Sequence, residues 1–281
     1  PMRFTKMQGI GNDYIYINGF VEQVDDPAAL SVRMSRTHFG CGSDGLILIL
    51  SSDKADFRMR MFNSDGSESE MCGNGVRCVA KYVHDRGMTE KTTITLETGA
   101  GVKTLDCHLR DGRVDTVTVD MGAPVLRGDL IPSTLLGEQV ADRPLVIDGE
   151  MQRVTLVNVG NPHCVLFVPD PDEVPLDTLG PRIEHDEHFP RRINVEFAHV
   201  INRKHIEMRV WERGTGETMA CGTGSCAVIV AAILLDKVDR ACDITLRGGT
   251  LHNEWRQSDG HIYMTGPARF VYDGEWLGDD L

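Results

Sequence analysis

The chain has 281 residues, 41% hydrophobic and 25% charged, a composition typical of a globular protein large enough for two lobes or one large domain. Its 42 acidic side chains outnumber the 29 basic ones, and the resulting net charge of -13 disfavours binding to nucleic acid or to an anionic membrane. No stretch is apolar enough for a signal-peptide core or a membrane span, and eight cysteines suit a reducing compartment. We therefore expect a cytoplasmic protein.

Strand patterns dominate the sequence. Alternating or β-branched runs with Gly, Asn, Asp or Pro nearby predict strands at 57–61, 116–121, 154–159, 205–211 and 261–264. A helix is predicted at about 75–86, ending at Gly87, and a second at 225–235. Because the second is apolar on every face, we expect other elements to enclose it. The segment 169–175, rich in Pro and Asp, is predicted to be a surface loop.

One segment of the chain is repeated later in the sequence. MRMFNSDGSESEMCGNG begins at Met59 and MRVWERGTGETMACGTG at Met208, an offset of 149 (208 minus 59) that also relates Cys72 to Cys221 and Asn12 to Asn161. Several anchors at a single offset indicate an internal duplication. We therefore predict two pseudo-symmetric lobes of about 120–140 residues each, with one copy of the motif from each lobe at a shared site.

Each repeated Cys-Gly-X-Gly turn lies between a strand and a helix. This position exposes the thiol to free backbone N–H groups and to the positive end of the helix dipole, which can lower a cysteine pKa to roughly 3.5–7.5. The glycines let backbone amides approach a carboxylate closely. Two such turns predict a reaction in which one thiolate removes the α-proton of an amino acid and the opposite thiol returns a proton. That reaction needs no pyridoxal phosphate, metal or nucleotide.

Simpler interpretations suit the other motifs. The six remaining cysteines are predicted to be small buried hydrophobes, and HDEH at 185–188 to be a solvated polar loop. The G-x-G pieces lack the third glycine and the acidic residue of a dinucleotide fingerprint. No C-x-x-C pair with the spacing of a zinc site occurs, so we predict no metal.

The segments KMQGIGNDY, FNSDGSESEMCGNGVRC, GNPHCV, NVEF and ERGTGETMACGTGSCA closely resemble the diaminopimelate epimerase family over nearly the whole chain. The resemblance implies a cofactor-independent isomerase that interconverts LL- and meso-2,6-diaminopimelate for lysine and peptidoglycan synthesis. It also implies an α+β fold in which each lobe is a curved, largely antiparallel sheet around a central helix. The expected lobes are 1–120, completed by a C-terminal strand at 268–281, and 121–267.

The resemblance also implies roles for individual residues. Cys72 and Cys221 would be the catalytic thiols, labelled proton donor and acceptor in that order, with His163 and Glu212 supporting the reacting end. The substrate would be bound by Asn12, Asn63, Gly73, Asn74, Asn161, Asn194, Glu212, Arg213, Gly222 and Thr223. Arg213 would meet the distal carboxylate. The family suggests a homodimer with Tyr272 at its interface.

The polar residues in this set also have structural interpretations. Asn12, Asn63 and Asn161 lie in predicted turns, where asparagine is common for backbone reasons. His163 is also compatible with a core histidine, and Arg213 with a surface pair to Glu212. Many relatives carry a glutamine where this chain has Gly45, so that contact is expected to be lost or replaced.

Two alternative functions stay open. The first is a racemase of proline or hydroxyproline on the same fold, although such an imino acid has no distal carboxylate for Arg213. The second is a thiol redox or binding protein in which Cys72 and Cys221 form a reversible disulfide. Such proteins normally use closely spaced cysteines, and the 148 residues between these two (221 − 72 − 1) argue against it.

Overall fold

The computed structural model describes residues 1–278; residues 279–281, which end the predicted C-terminal strand, lie outside the described part. The strands are β1 (Met2–Gly9), β2 (Asn12–Asn18), β3 (Gly45–Leu50), β4 (Phe57–Asn63), β5 (Glu68–Ser69), β6 (Thr93–Thr98), β7 (Gly101–Arg110), β8 (Arg113–Asp120), β9 (Arg143–Ile147), β10 (Glu150–Asn158), β11 (Pro162–Phe167), β12 (Asn194–Asn202), β13 (His205–Glu212), β14 (Gly216–Glu217), β15 (Ala241–Leu246), β16 (Gly249–Trp255), β17 (Ile262–Pro267) and β18 (Arg269–Trp276). The α-helices are α1 (Pro27–Ser35), α2 (Gly73–Asp85), α3 (Leu176–Glu184) and α4 (Gly222–Leu234). Within residues 1–278, no helix has both the length and the apolar character that a membrane crossing requires.

The predicted elements are confirmed, with shifted ends. The five predicted strands correspond to β4, β8, β10, β13 and β17, and the two predicted helices to α2 and α4. Both helices begin earlier than predicted, directly after Cys72 and Cys221, because these cysteines are themselves the N-caps. The predicted loop at 169–175 contains a short 3₁₀ turn, Pro171–Glu173, in which the Asp170 side chain accepts from the N–H of Asp172 at 2.9 Å.

The helices α1 and α3 are additional to the predicted pair. In α1 the N-terminal signal is local: Asp26 precedes Pro27, and its carboxylate accepts a hydrogen bond from the N–H of Ala29 at 3.1 Å. An acidic N-cap followed by proline at the first helical position is a common helix start. The apolar pattern of these nine-residue helices is too short to stand out against the strand patterns around them.

Contacts between Cα atoms divide the chain into two units. Unit 1 contains Pro1–Val119 and the described part of the segment that begins at Thr265, and unit 2 is Asp120–Met264. In unit 1 the paired strands run in the order β18–β1–β2–β3–β4–β6–β7–β8, with parallel pairs only at β2–β3 and β4–β6 among these described strands. In unit 2 the order is β9–β10–β11–β12–β13–β15–β16, with parallel pairs at β11–β12 and β13–β15.

The two units share one internal plan at the same offset of 149 residues. Helix α2 begins at Gly73 and α4 at Gly222, and α1 begins at Pro27 and α3 at Leu176 (222 minus 73 and 176 minus 27). Strand β3 begins at Gly45 and β12 at Asn194, again 149 apart (194 minus 45). The parallel pairs fall at the same places in the two plans. The duplication predicted from the sequence is therefore present in the secondary structure of both units.

Each unit encloses one helix against its sheet. In unit 1, α2 packs on β1, β2 and β7, and its residues from Gly73 to Val83 are buried. In unit 2, α4 packs on β10, β11, β12, β15 and β16, which explains why its sequence is apolar on every face. The predicted α+β class, with a largely antiparallel sheet around a central helix in each unit, is confirmed.

A buried carboxylate fixes the C-terminal end of α2. The Asp85 side chain, 2% exposed, accepts from Lys81 Nζ at 2.8 Å and from the N–H of Val114 on β8 at 3.0 Å, and lies 2.8 Å from His84 Nδ1. Burial alone would raise the pKa of this carboxyl, but these hydrogen bonds outweigh burial and hold the pKa below its ordinary value. Asp85 therefore favours the folded state in its charged form.

We expect Asp85→Ala to lower the free energy of unfolding by about 3–5 kcal/mol, because it leaves the buried Lys81 ammonium without its carboxylate. Urea unfolding followed by circular dichroism measures this, with the exposed Asp106→Ala as a control that changes it by less than about 0.5 kcal/mol. Because the folded-state pKa is depressed, the contribution is present above the ordinary aspartate pKa and disappears as pH falls through the folded value. Equal stabilities of the two variants would contradict this role.

Candidate active site

The first candidate half-site lies at the start of α2 in unit 1. Cys72 is the N-cap, in extended conformation, and its Sγ donates to Asn12 Oδ1 at 3.1 Å. Asn74 Nδ2 donates to the same oxygen at 3.2 Å, and Asn12 Nδ2 donates to Asp44 Oδ2 at 2.6 Å. The Asn12 amide is thus fixed at both ends, with its oxygen facing the thiol.

The polarity around Cys72 matches the chemistry predicted for it, but the direction of the pKa shift does not. The N–H groups of Gly75 and Asn74, the Tyr14 hydroxyl and the Arg77 guanidinium all lower the pKa of the thiol. Burial has the largest effect and raises the pKa above its ordinary value. The helix start therefore lowers the pKa of this thiol as predicted, but burial outweighs that effect.

The second candidate half-site lies at the start of α4 in unit 2. Cys221 is the N-cap and is buried; the N–H of Gly224 donates to its Sγ at 3.3 Å, and Thr223 Oγ1 lies 3.6 Å from the same sulfur. Burial raises the pKa of Cys221 well above its ordinary value, and the carboxyl groups of Glu212 and Glu196 add to the rise when they are ionised. The Thr223 hydroxyl and the Gly224 N–H act in the opposite direction.

A line of hydrogen bonds leads from Cys221 into the interior of unit 2. Asn161 Nδ2 donates to Thr223 Oγ1 at 3.2 Å, and Asn161 Oδ1 lies 2.7 Å from His163 Nε2. His163 is fully buried on β11, and its Nδ1 lies 2.6 Å from Glu196 Oε1 on β12. Asn161 and His163 are therefore connected to the Cys221 turn through side-chain contacts.

Asn194 and Arg213 lie together at the adjoining ends of β12 and β13. Asn194 Nδ2 donates to the carbonyl of Pro162 at 2.9 Å, and its Oδ1 accepts from the backbone N–H of Arg213 at 2.8 Å. The Arg213 guanidinium donates to the carbonyl of Arg191 at 3.1 Å. Burial, followed by the positive charge of Arg192, lowers the pKa of the Arg213 guanidinium, and the negative charge of Glu184 acts in the opposite direction.

The remaining predicted site residues lie at the end of β4, at the two helix starts and on β18. Asn63 Nδ2 donates to Ser67 Oγ at 3.0 Å and to Ser69 Oγ at 2.8 Å, as expected for a turn asparagine. Gly73 and Gly222 are the first residues of α2 and α4. Tyr272 on β18 is 42% exposed, and its ring meets that of Phe4 edge-on at 6.0 Å.

Gly45 cannot accept a side chain without a shift of the backbone. It pairs with Asn63 across β3 and β4, and a Cβ at Gly45 would overlap the carbonyl oxygen of Phe62 and lie 3.1 Å from the Cα of Asn63. The neighbouring Asp44 instead supplies the polar group at this place, through its bond to Asn12.

We expect Gly45→Gln to lower the free energy of unfolding by about 3 kcal/mol, because backbone atoms must shift to admit the side chain. Gly112→Asn is a matched control: Gly112 has φ +77 with no atom near its Cβ position, and asparagine tolerates that conformation. Urea unfolding of both variants is the measurement. A Gly45→Gln protein as stable as the control would contradict the expected steric overlap between β3 and β4.

Sequence reasoning assigned no site role to four polar residues of the two half-sites: Tyr14, Asp44, Arg77 and Glu196. Tyr14 lies 149 positions before His163 (163 minus 14), so the offset that revealed the cysteines also marks these two residues as equivalents. Arg77 is fully buried and donates to Asn74 Oδ1 at 2.7 Å. No local signal marked Arg77, because the segment after CGNG, VRCVAKYVHDR, contains several other charged residues.

The remaining predicted absence concerns metals. Among residues 1–278, no three His, Cys, Asp or Glu side chains are arranged to hold a metal ion. In the HDEH segment, His188 Nδ1 bonds to Asp186 at 2.6 Å, which is a local turn contact.

Solved structures share this fold. A probable proline racemase from Agrobacterium radiobacter matches with a TM-score of 0.71 at 15% identity, covering 99% of this chain and 94% of its own. A PhzF-family phenazine biosynthesis protein from Enterococcus faecalis matches with a TM-score of 0.71 at 11% identity, covering 98% and 99%. At these identities the likeness shows the fold alone, and the chain is therefore assigned to the duplicated α+β fold that these structures share.

Sequence comparison narrows the class to one family. The diaminopimelate epimerase family model matches residues 4–127 and 155–271. Diaminopimelate epimerases from Acetivibrio thermocellus and Desulfovibrio desulfuricans are 54% and 52% identical, each match covering 98% of both chains. One from Methanococcus maripaludis is 51% identical over 98% of this chain and 99% of its own. The chain belongs to the diaminopimelate epimerase family, and it is an isomerase.

Proposed function

We propose that this protein interconverts LL- and meso-2,6-diaminopimelate by transferring protons at one α-carbon through Cys72 and Cys221. The epimerase activity rests on family membership across nearly the whole chain. One observation supports the mechanism: in each unit a cysteine thiol is the N-cap of the enclosed helix. In the family this activity serves lysine and peptidoglycan synthesis, and we assign the protein to that role in the cytoplasm.

The chemistry requires a base on one face of the α-carbon and an acid on the other. In one direction, the Cys221 thiolate takes the α-hydrogen as a proton, and the electron pair of the C–H bond stays on the α-carbon. The Cys72 thiol then donates its proton to the opposite face, so the stereocentre is inverted and the thiolate has changed place. The roles exchange when the reaction runs in reverse.

Backbone N–H groups are suited to hold the carboxylate that makes this proton acidic. The first turn of each helix contains N–H groups without an intrahelical acceptor, at Gly73 and Asn74 in unit 1 and at Gly222 and Thr223 in unit 2. Negative charge that develops on the carboxylate during proton removal is stabilised by such donors.

Polar side chains bind the remaining groups of the substrate in this proposal. Arg213 pairs with the distal carboxylate. Asn194 lies beside it and accepts a hydrogen bond from the backbone N–H of Arg213. Glu212 and His163 support the reacting end, and Asn12, Asn63 and Asn161 orient the amino acid.

Tyr272 lies at the interface of a homodimer in this proposal. Sedimentation velocity of the wild-type protein tests the homodimer, and a monomer would contradict it.

Incubation of LL-diaminopimelate with the purified, reduced protein, followed by chiral separation, tests the function. We expect the meso isomer to form until equilibrium is reached from either side. L-proline and trans-4-hydroxy-L-proline serve as the comparison substrates. Turnover of an imino acid without formation of meso-diaminopimelate would overturn the assignment in favour of the racemase alternative.

A further inference from the structure

The two units carry different residues at one pair of equivalent positions next to the thiols. Gly75 in unit 1 and Gly224 in unit 2 are equivalent, and so are Ile47 and Glu196, since 224 minus 75 and 196 minus 47 are both 149. A Cβ on Gly75 would lie 2.9 Å from Ile47 Cδ1, and one on Gly224 would lie 2.9 Å from Glu196 Oε1. The same place is therefore occupied by a hydrocarbon behind Cys72 and by a carboxyl group behind Cys221.

The Glu196 carboxyl group is isolated from solvent. Its side chain is 0% exposed, and Oε1 lies 2.6 Å from His163 Nδ1. The second oxygen, Oε2, is buried and has no hydrogen-bond partner among the described residues. A carboxylate in a dry interior normally has donors to both oxygens, because unpaired buried charge is strongly disfavoured.

The hydrogen bonds around His163 and Glu196 determine how many protons these two side chains carry together. With the Asn161 amide oriented so that Nδ2 donates to Thr223, its Oδ1 must accept from His163, and Nε2 of His163 therefore carries a hydrogen. The contact between His163 Nδ1 and Glu196 Oε1 then contains one further proton. Either His163 is a cation beside a carboxylate, or a neutral His163 accepts from a carboxylic acid.

The surroundings favour the neutral pair. An ion pair would leave the charge on Oε2 without a donor, whereas a carboxylic acid leaves only a carbonyl oxygen, whose isolation costs less. Burial raises the pKa of the Glu196 carboxyl, and negative charge at Glu212 on β13 adds to this, against the lowering effect of His163. The other groups that sense its charge are Cys164 on β11 and Cys221 at the start of α4.

We propose that Glu196 is a positioning residue held as a neutral acid, whose O–H donates to Nδ1 of His163. This bond fixes His163 in the tautomer with hydrogen on Nε2, which in turn holds Asn161 and Thr223 beside the Cys221 thiol. The protonated state also removes one of the two negative charges that oppose a thiolate at Cys221. The role rests on the proposed function only in that Cys221 is taken as a reacting thiol.

Two variants of Glu196 test whether its hydrogen bond to His163, rather than its charge or its volume, supports activity. Glu196→Gln keeps a neutral donor toward Nδ1, and Glu196→Ile installs the residue that unit 1 uses at this place. We expect the Gln variant to keep kcat within about threefold of wild type. The Ile variant should lose on the order of 10²-fold in kcat, with a smaller change in KM, because Asn161 and Thr223 are no longer held. Equal losses in both variants, or wild-type kcat in the Ile variant, would refute the proposal.

A spectroscopic measurement tests the same pair without relying on activity. In the full-length protein labelled with ¹⁵N-histidine, His163 is assigned by comparison with a His163→Asn variant. We expect its imidazole to be neutral near pH 7, with hydrogen on Nε2, in the wild type and in Glu196→Gln. Two protonated nitrogens in the wild type would overturn the proposal. An absence of diaminopimelate epimerisation by the wild type would refute the proposed function alone, since the nitrogen signals report the pair directly.

Discussion

Replacement of Cys72 or Cys221 by alanine is expected to abolish epimerisation of diaminopimelate, with rates below about 10⁻³ of wild type. Each variant lacks either the acceptor or the donor of the transferred proton, and alanine cannot substitute for a thiol. Chiral separation of the products measures the loss. The controls are Cys107→Ala and Cys242→Ala, which remove buried thiols in unit 1 and unit 2 outside the half-sites and should keep most of the activity.

The same mechanism predicts where the hydrogen goes. In deuterated water at early conversion, newly formed product should carry deuterium at the α-carbon, while remaining substrate stays largely protiated, in both directions. A single base that serves both faces would return some of the original hydrogen to the product. Substantial transfer of that hydrogen, or near-normal epimerisation by either alanine variant, would refute the two-thiol mechanism.

Arg213→Met is expected to lower kcat/KM for diaminopimelate on the order of 10²- to 10³-fold, because the distal carboxylate loses its charged partner. Lysine lacks that carboxylate and should be a very poor substrate for the wild type, since the partly buried guanidinium is then left without an anionic partner. Steady-state kinetics on both substrates is the measurement.

The control for Arg213 is Arg182→Met, which removes an exposed guanidinium paired with the exposed Asp148. We expect it to leave kcat/KM nearly unchanged. The loss caused by Arg213→Met should also be much smaller on lysine than on diaminopimelate, because lysine has no group for Arg213 to bind. Equal losses on both substrates, or comparable wild-type rates on both, would remove Arg213 from the assigned role.

The residues that sequence reasoning found differ from those it missed in one respect. Cys72 and Cys221 are marked by their own local sequence, a Cys-Gly-X-Gly turn repeated at a fixed offset. Asp44 directly precedes β3 and Glu196 lies within β12, and neither has a local signal, because Asp44 reaches Asn12 on β2 and Glu196 reaches His163 on β11. Contacts of this kind depend on strand pairing, which one sequence does not specify.

The sequence by itself determined the duplication, five of the strands, the two enclosed helices and the position of each thiol at a helix start. These features follow from local periodicity and from turn and cap residues, which act over a few positions of the chain. The tertiary structure decided that burial raises the pKa of both thiols, that the Phe62 carbonyl excludes a side chain at Gly45, and that a carboxyl group lies behind Cys221 where unit 1 has Ile47. Desolvation, steric overlap and side-chain pairing arise between residues distant in sequence, so they are fixed only when the sheets are formed.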